Sequence, residues 1–393
     1  MTKKGPGRPW SLAGSARSAR DARIAAVRYL RHGAAEQRWY AAMLAHGHQA
    51  WTAAGGDPAA VRAVEFAVMG YPPPYLQDWE QAAAVVLADE ERGLAQADLY
   101  VLTPQMLDVV IAAAQTLDFT DLGLLTEDDL PSPAGVVVLP RPLVTRLPTG
   151  TLQHNLAFTW RSPWQIPLPE RMGFQGAELP AVRMSSYLTP TSAHRDRVQA
   201  ARAEGQSLPP LLLDTVWSLP LHPSGPVQAH DRERFETEIR RLNTGYWEKE
   251  ARRATARGED QVTGEYASGQ ILDEGDDGTF GSRFLYAFWR LCEQKIATQQ
   301  ASEPGHSARV AADRAGVSPE VWVIALRRAA SPGQSTAESG PHQWHHHWVV
   351  RMHKVRQWYP SLQQHKVIYR GPLIKGDRNK PLLGGEVVRG LIR

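Results

Sequence analysis

The stretch VAADRAGVSPEVWVIALRRA, residues 310–329, decides between two folds for its part of the chain. Ala312 and Gly316 are four residues apart, and Gly316-Val317-Ser318-Pro319 matches the turn into the second helix of a bacterial repressor. A recognition helix must then show polar side chains to base edges in the major groove. Its outward positions here would be Val321, Val323 and Ile324, which are apolar and β-branched and can read no bases. VWVIAL has instead the composition of a central strand, apolar on both faces. The prediction is a strand at 321–326 buried on both sides, not an exposed helix.

Outward from that strand the texture changes by region. Residues 1–120 read as helices. The Ala- and Arg-rich 17–51 is interrupted near Gly33 and Gly47, and Asp57-Pro58 opens a helix that Gly70 closes. A third spans 75–94 after three prolines. A fourth starts at Thr103-Pro104, with Leu107, Val110, Ile111 and Ala114 on one face. Residues 121–226 hold 15 of the 29 prolines, between short apolar runs at 135–139, 152–160, 181–188 and 211–219. Proline fixes φ and removes a ladder donor, so these runs are expected to be edge strands and extended segments. Helical periodicity returns at 228–257, and Ser282 is the expected N-cap of a helix carrying Phe284, Phe288, Leu291 and Ile296. The expectation is an α+β protein in four segments: a helical 1–120 with a basic arm, a Pro-rich β region 121–226, a helical 227–300, and a β-rich basic module 301–393.

Charge is distributed unevenly. Residues 1–32 carry eight Lys/Arg against Asp21, and residues 341–393 carry ten against Asp377 and Glu386. Since the whole chain carries +3, the stretch between these +7 and +8 ends must carry −12. Two basic ends suggest an anionic partner, and if they serve one ligand they should lie on the same side. The single cysteine, Cys292, excludes an intramolecular disulfide and favours a reducing compartment. It lies on an apolar helix face and reads as a small core residue. No apolar run reaches the ~18 residues of a membrane span, and the basic N-terminus has no apolar run behind it, so the expected location is the cytoplasm.

Three readings compete for HQWHHHWVVRMHKVRQW, residues 342–358. As a zinc site it falls short: on one strand only His345 and His347 share a face at close spacing, and no cysteine or carboxylate is nearby. As one strand, it sets Trp348, Val350 and Met352 against Val349, Arg351 and His353. As a nucleic-acid surface, it supplies Arg351, Lys354 and Arg356 beside Trp358 and Tyr359. Lys366, Arg370, Lys375, Arg378 and Lys380 continue the series. Cations that neutralise phosphates, next to rings on which bases stack, are the footprint of nucleic-acid binding. Those ten residues are the expected site.

No phosphate-binding GxxxxGK[ST] loop, GxGxxG, HExxH or GxSxG occurs, so no catalytic residue, metal ligand or cofactor is assigned. The clustered Asp273, Glu274, Asp276 and Asp277 could hold a hard cation, but not with EF-hand spacing. The leading expectation is a non-enzymatic nucleic-acid-binding protein. A metal-dependent phosphodiesterase and a factor docking on an acidic partner protein are the alternatives. The segments HHHWVVRMHKVRQWYPS and KGDRNKPLLGGEVV, with the mid-chain PSPAGVVVLPRPL, resemble parts of uncharacterised proteins from actinobacterial phages and plasmids. That resemblance covers about a sixth of the chain. It implies a mobile-element or host-defence setting and transfers no site residue.

Overall fold

The computed structural model describes residues 11–376 apart from 56, 72–77, 148–149, 151, 171–172, 175–176, 257–270, 274–278, 295, 327–346, 351–352, 360–363 and 371. The helix α1 (Leu12–His32) starts at Ser11, whose hydroxyl accepts from the Gly14 N–H. Gly33 breaks the run as expected, whereas Gly47 does not: α2 (Ala34–Gly55) passes through it. Asp57 caps α3 (Pro58–Val68), with Pro58 in the first turn where its missing N–H costs nothing. Gly70 ends this turn at φ +78, and a Cβ there would collide with the Trp164 ring, so both the backbone and the space demand glycine. Asp78 caps α4 (Trp79–Gln96). After β1 (Asp98–Leu102), Thr103 caps α5 (Pro104–Ala114), and α6 (Phe119–Leu122) follows.

The Pro-rich region supplies β2 (Ala134–Arg146), β3 (Leu152–Pro167), β4 (Glu178–Leu188) and, after α7 (Arg195–Ala203), β5 (Leu212–Pro220). The long α8 (Pro226–Ala256) precedes the short β6 (Ile271–Asp273). Then come α9 (Phe280–Cys292), β7 (Ala297–Ser302), α10 (His306–Ala315) and β8 (Val321–Leu326). The chain continues with β9 (His347–Val350), β10 (His353–Tyr359), β11 (Gln364–Arg370) and β12 (Leu373–Gly376).

One mixed sheet organises the α+β fold, in the order β5-β4-β3-β2-β1-β8-β7, with β6 added alongside β2. It takes strands from all four segments of the sequence. β1 runs parallel to both β2 and β8, while β2–β5 form an antiparallel meander. Alternation along β1 divides the core between two faces. Leu99 and Val101 face a layer built from α1, α2, α4 and α10; Tyr100 and Leu102 face α5 and α9.

The structure settles the 310–329 stretch as helix, turn and strand. Gly316 closes α10 in the left-handed conformation at φ +69, and β8 follows instead of a recognition helix. β8 lies between β1 and β7, with Val321 packed into one core layer and Ile324 into the other.

Two expectations need correction. The proline-rich runs are not edge strands: β2, β3 and β4 are all interior, and only β5 lies at an edge. Several of their prolines sit where the ladder is already interrupted, although Pro180 pairs in register with Gln165. Residues 139–142, with Pro140 and Pro142, stand opposite Leu156 alone, and Pro163 falls in the register shift between Arg161 and Trp164. Ser282 is not an N-cap, because α9 already begins at Phe280. It is buried within the first turn, where its hydroxyl accepts from Trp217 Nε1 at 3.0 Å. The histidine-tryptophan run supplies β9 and β10 on either side of residues 351–352, which lie outside the described residues. β9 pairs with β12 and β10 with β11, and both pairs keep one antiparallel register, with Val350 opposite Leu373 and His353 opposite Arg370.

Buried ions lock α4 to the sheet. Arg183 on β4, 1 % exposed, donates to Glu90 and to the Met69 carbonyl. Arg161 on β3 donates to Asp89 at 2.7 Å, and Tyr187 and Tyr71 donate to Glu90 and Asp89. Burial alone would raise the Asp89 carboxyl, but the Arg161 hydrogen bond and the charges of Arg183 and Arg161 outweigh it and hold it at about 2.

Candidate functional site

The expected nucleic-acid residues lie along two strand pairs that share one antiparallel register. β10 and β11 are antiparallel, in register from His353 opposite Arg370 to Tyr359 opposite Gln364. Directly opposed residues share a face, and faces alternate along each strand. Residues Lys354, Arg356 and Trp358 therefore fall on one face, opposite Tyr369, Val367 and His365. Tyr359, Lys366 and Arg370 fall on the other face. Lys375 belongs to the second pair, opposite Trp348 in β9–β12, and is exposed. Arg351, Arg378 and Lys380 lie outside the described residues. The β9–β12 pair docks on the main core: Val349 and Ile374 pack against it, and Gln294 donates to the Pro372 carbonyl at 2.7 Å.

The other basic end behaves differently. Arg20 donates through Nε to the Pro319 carbonyl at 2.7 Å, and Arg23 donates to the carbonyls of Ala97 and Ser318. Both side chains are buried, so part of the N-terminal charge is spent inside the protein on the turn before β8. Arg17 and Arg28 remain exposed on α1, and residues 1–10 lie outside the described residues.

Of the acidic loop and the histidines invoked for metal chemistry, Asp273, His347 and His353 are among the described residues. Asp273 ends β6 in register with Arg146, while Glu274, Asp276, Asp277 and His345 lie outside the described residues. Among the described residues no group of three or more His, Cys, Asp or Glu could hold a metal ion. Cys292 packs against the core, and burial raises its thiol well above the ordinary range, which keeps it a thiol.

A site absent from the sequence reading lies between α2, α3 and α8 and the face of β3–β5. It is a cavity of about 440 Å³, walled largely by apolar and aromatic side chains that include Trp51, Phe158, Trp217 and Trp247. Drug-sized ligands occupy pockets of roughly 300–1,000 Å³ with a few placed polar groups. Here those groups include Asp214 on β5, Asn155 on β3 and Glu65 on α3. Asp214 Oδ2 accepts from Thr215 at 3.1 Å, Ser186 at 3.2 Å and Gln153 at 3.4 Å. Asn155 is 4 % exposed, and its Oδ1 has no hydrogen-bond partner among the described residues. Glu65 shares a hydrogen bond of 2.8 Å with His48 Nδ1. Burial pushes the Glu65 carboxyl up to about 8 against the opposing charge of Arg62, and lowers His48. The shared proton therefore sits on the carboxyl at neutral pH, and the contact is a neutral hydrogen bond instead of an ion pair.

No local pattern could have found this site, because its polar members come from separate elements that only the fold assembles. No protein-family model, curated protein or solved structure matches the chain. No described helix is long and apolar enough to cross a membrane.

Proposed function

We propose that this chain binds nucleic acid without catalysing a reaction on it, through the β10–β11 ribbon, in the setting of a mobile element. The observation that supports this reading is the register that sets Lys354, Arg356 and Trp358 on one ribbon face. Same-face neighbours on a strand are roughly 7 Å apart, so two cations and a ring form one continuous strip. Two-stranded ribbons of this size enter nucleic-acid grooves or carry single strands. The cations supply sequence-independent attraction to phosphates, and the ring supplies stacking that is open to unpaired bases.

Fluorescence anisotropy with labelled single-stranded and duplex 20-mers, from 50 to 200 mM salt, tests this. Replacing Arg351, Lys354 and Arg356 by Ala should weaken binding equally for all sequences. Each lost phosphate contact should flatten the logarithmic salt slope by about 0.7–0.9. Trp358→Ala should harm single strands more than duplex. A triple variant that binds as tightly as the parent at low salt overturns the reading. Binding of polyglutamate in preference to either nucleic acid would point instead to an acidic protein partner.

A further inference from the structure

The cavity between α2, α3, α8 and the β3–β5 face has no role in the ribbon reading. Its polar groups are unevenly balanced. All three protein donors to Asp214 converge on Oδ2. No donor among the described residues reaches Oδ1, on a side chain that lines the cavity. Asn155 presents a second acceptor, the buried Oδ1 without a partner. A buried acceptor without a donor costs on the order of 1–3 kcal/mol, as Asn155 Oδ1 does, whereas Asp214 Oδ1 is open to the cavity and can take a donor from it.

The nearby charges favour a positive donor. Glu236 is engaged by Arg232 at 2.8 Å, and Arg197, the cation closest in effect to Asp214, is neutralised by a buried two-bond pair with Glu36. Arg240 also lines the cavity, on its exposed side, where its guanidinium is engaged by the Phe119 ring with 4.6 Å to the centroid. The aromatic walls suit a cation as well, since ring faces attract positive charge.

We propose that this cavity is a binding site for a small organic cation, an ammonium or amidinium group carried on an apolar body. The cationic N–H group donates to Asp214 Oδ1, and the apolar body lies among Trp217, Phe158 and Trp247. Burial holds the Asp214 carboxyl above its ordinary range against the Thr215 and Ser186 hydrogen bonds and the Arg197 charge, and a bound cation offsets that penalty.

Calorimetric titration at pH 7 with matched pairs sharing one apolar body tests the proposal: phenethylamine against 3-phenylpropionate, tryptamine against indole-3-propionate, and octylamine against nonanoate. The amine of the best pair should bind at least tenfold more tightly than its carboxylate. Asp214→Asn, which keeps the shape, should abolish that preference. Gly47→Leu supplies a second variant whose folding is secure: a Cβ there meets only Glu65 Oε1, at an ordinary 3.7 Å, and the position is helical. It fills the cavity, keeps every charge, and should remove binding of both members. The Arg351/Lys354/Arg356→Ala variant should bind the amine unchanged, which separates this site from the ribbon. Absence of binding by all six probes up to about 1 mM, carboxylates that match the amines, or a preference that survives Asp214→Asn would each overturn the proposal.

Discussion

The two basic ends of this chain have similar charge and opposite architecture. On α1, Arg20 and Arg23 point inward, and their guanidinium groups are consumed by the carbonyls of Ala97, Ser318 and Pro319. In the β10–β11 ribbon, Lys354 and Arg356 alternate with residues of the opposite face on a two-stranded element outside the main sheet. The same excess of cations thus staples a helix to a turn in one place and provides the candidate surface in the other. Net charge over a window reports neither outcome. What differs is the period: α1 brings its third and seventh residues onto a packed face, whereas a ribbon has two faces and no depth.

The sharpest way to break this contrast is Arg23→Ala. Burial already pulls its guanidinium down to about 10, still charged at neutral pH, and removal strands two carbonyls. The expected loss is about 2–4 kcal/mol in chemical denaturation, with nucleic-acid affinity and its salt slope unchanged. The ribbon triple variant should do the converse, lowering the salt slope by about 2–3 while leaving the unfolding midpoint in place. A third test uses pH. Glu65 titrates at about 8 in the fold against an ordinary 4.5, so the fold favours its protonated form. That stabilisation is complete below about pH 4.5 and is lost as pH rises through 8. Glu65→Gln should therefore flatten the fall in Tm between pH 5 and 8 that the parent shows, by at least about 2 °C. The smallest effect belongs to Arg17→Ala and Arg28→Ala, exposed on the same helix as Arg23. Each should change stability by under about 0.5 kcal/mol, and a larger loss would show that α1 has no idle face.

Where a feature was legible in the sequence, the determining contacts were local. Asp57 and Thr103 cap their helices through residues three positions on, and Gly70 needs a conformation that only glycine adopts without strain. VWVIAL was readable because a strand buried on both faces has no polar side to show. The prolines of β2 and β3 misled because their compatibility with an interior strand depends on the partner's register, which one strand does not encode. Ser282 misled because a hydroxyl that suits a cap also suits the Trp217 indole, which comes from a distant strand. The pairing of β9 and β10 rests on β12 and β11 further along, and the cavity rests on side chains of α2, α3, β3, β5 and α8 that no spacing connects.

The position of β1 has a consequence for the order of events during synthesis. This strand ends at Leu102, yet one of its two neighbours, β8, begins only at Val321. At about 5–20 residues per second the ribosome takes on the order of tens of seconds to deliver it. Throughout that interval Leu99 to Leu102, apolar and destined for the middle of the sheet, would have one open hydrogen-bonding edge. α1 waits as well, since Arg23 and Arg20 find their carbonyls at Ser318 and Pro319. The centre of this protein is therefore finished last, and a nascent chain that stalls before residue 321 presents an apolar strand edge to its neighbours until a chaperone covers it.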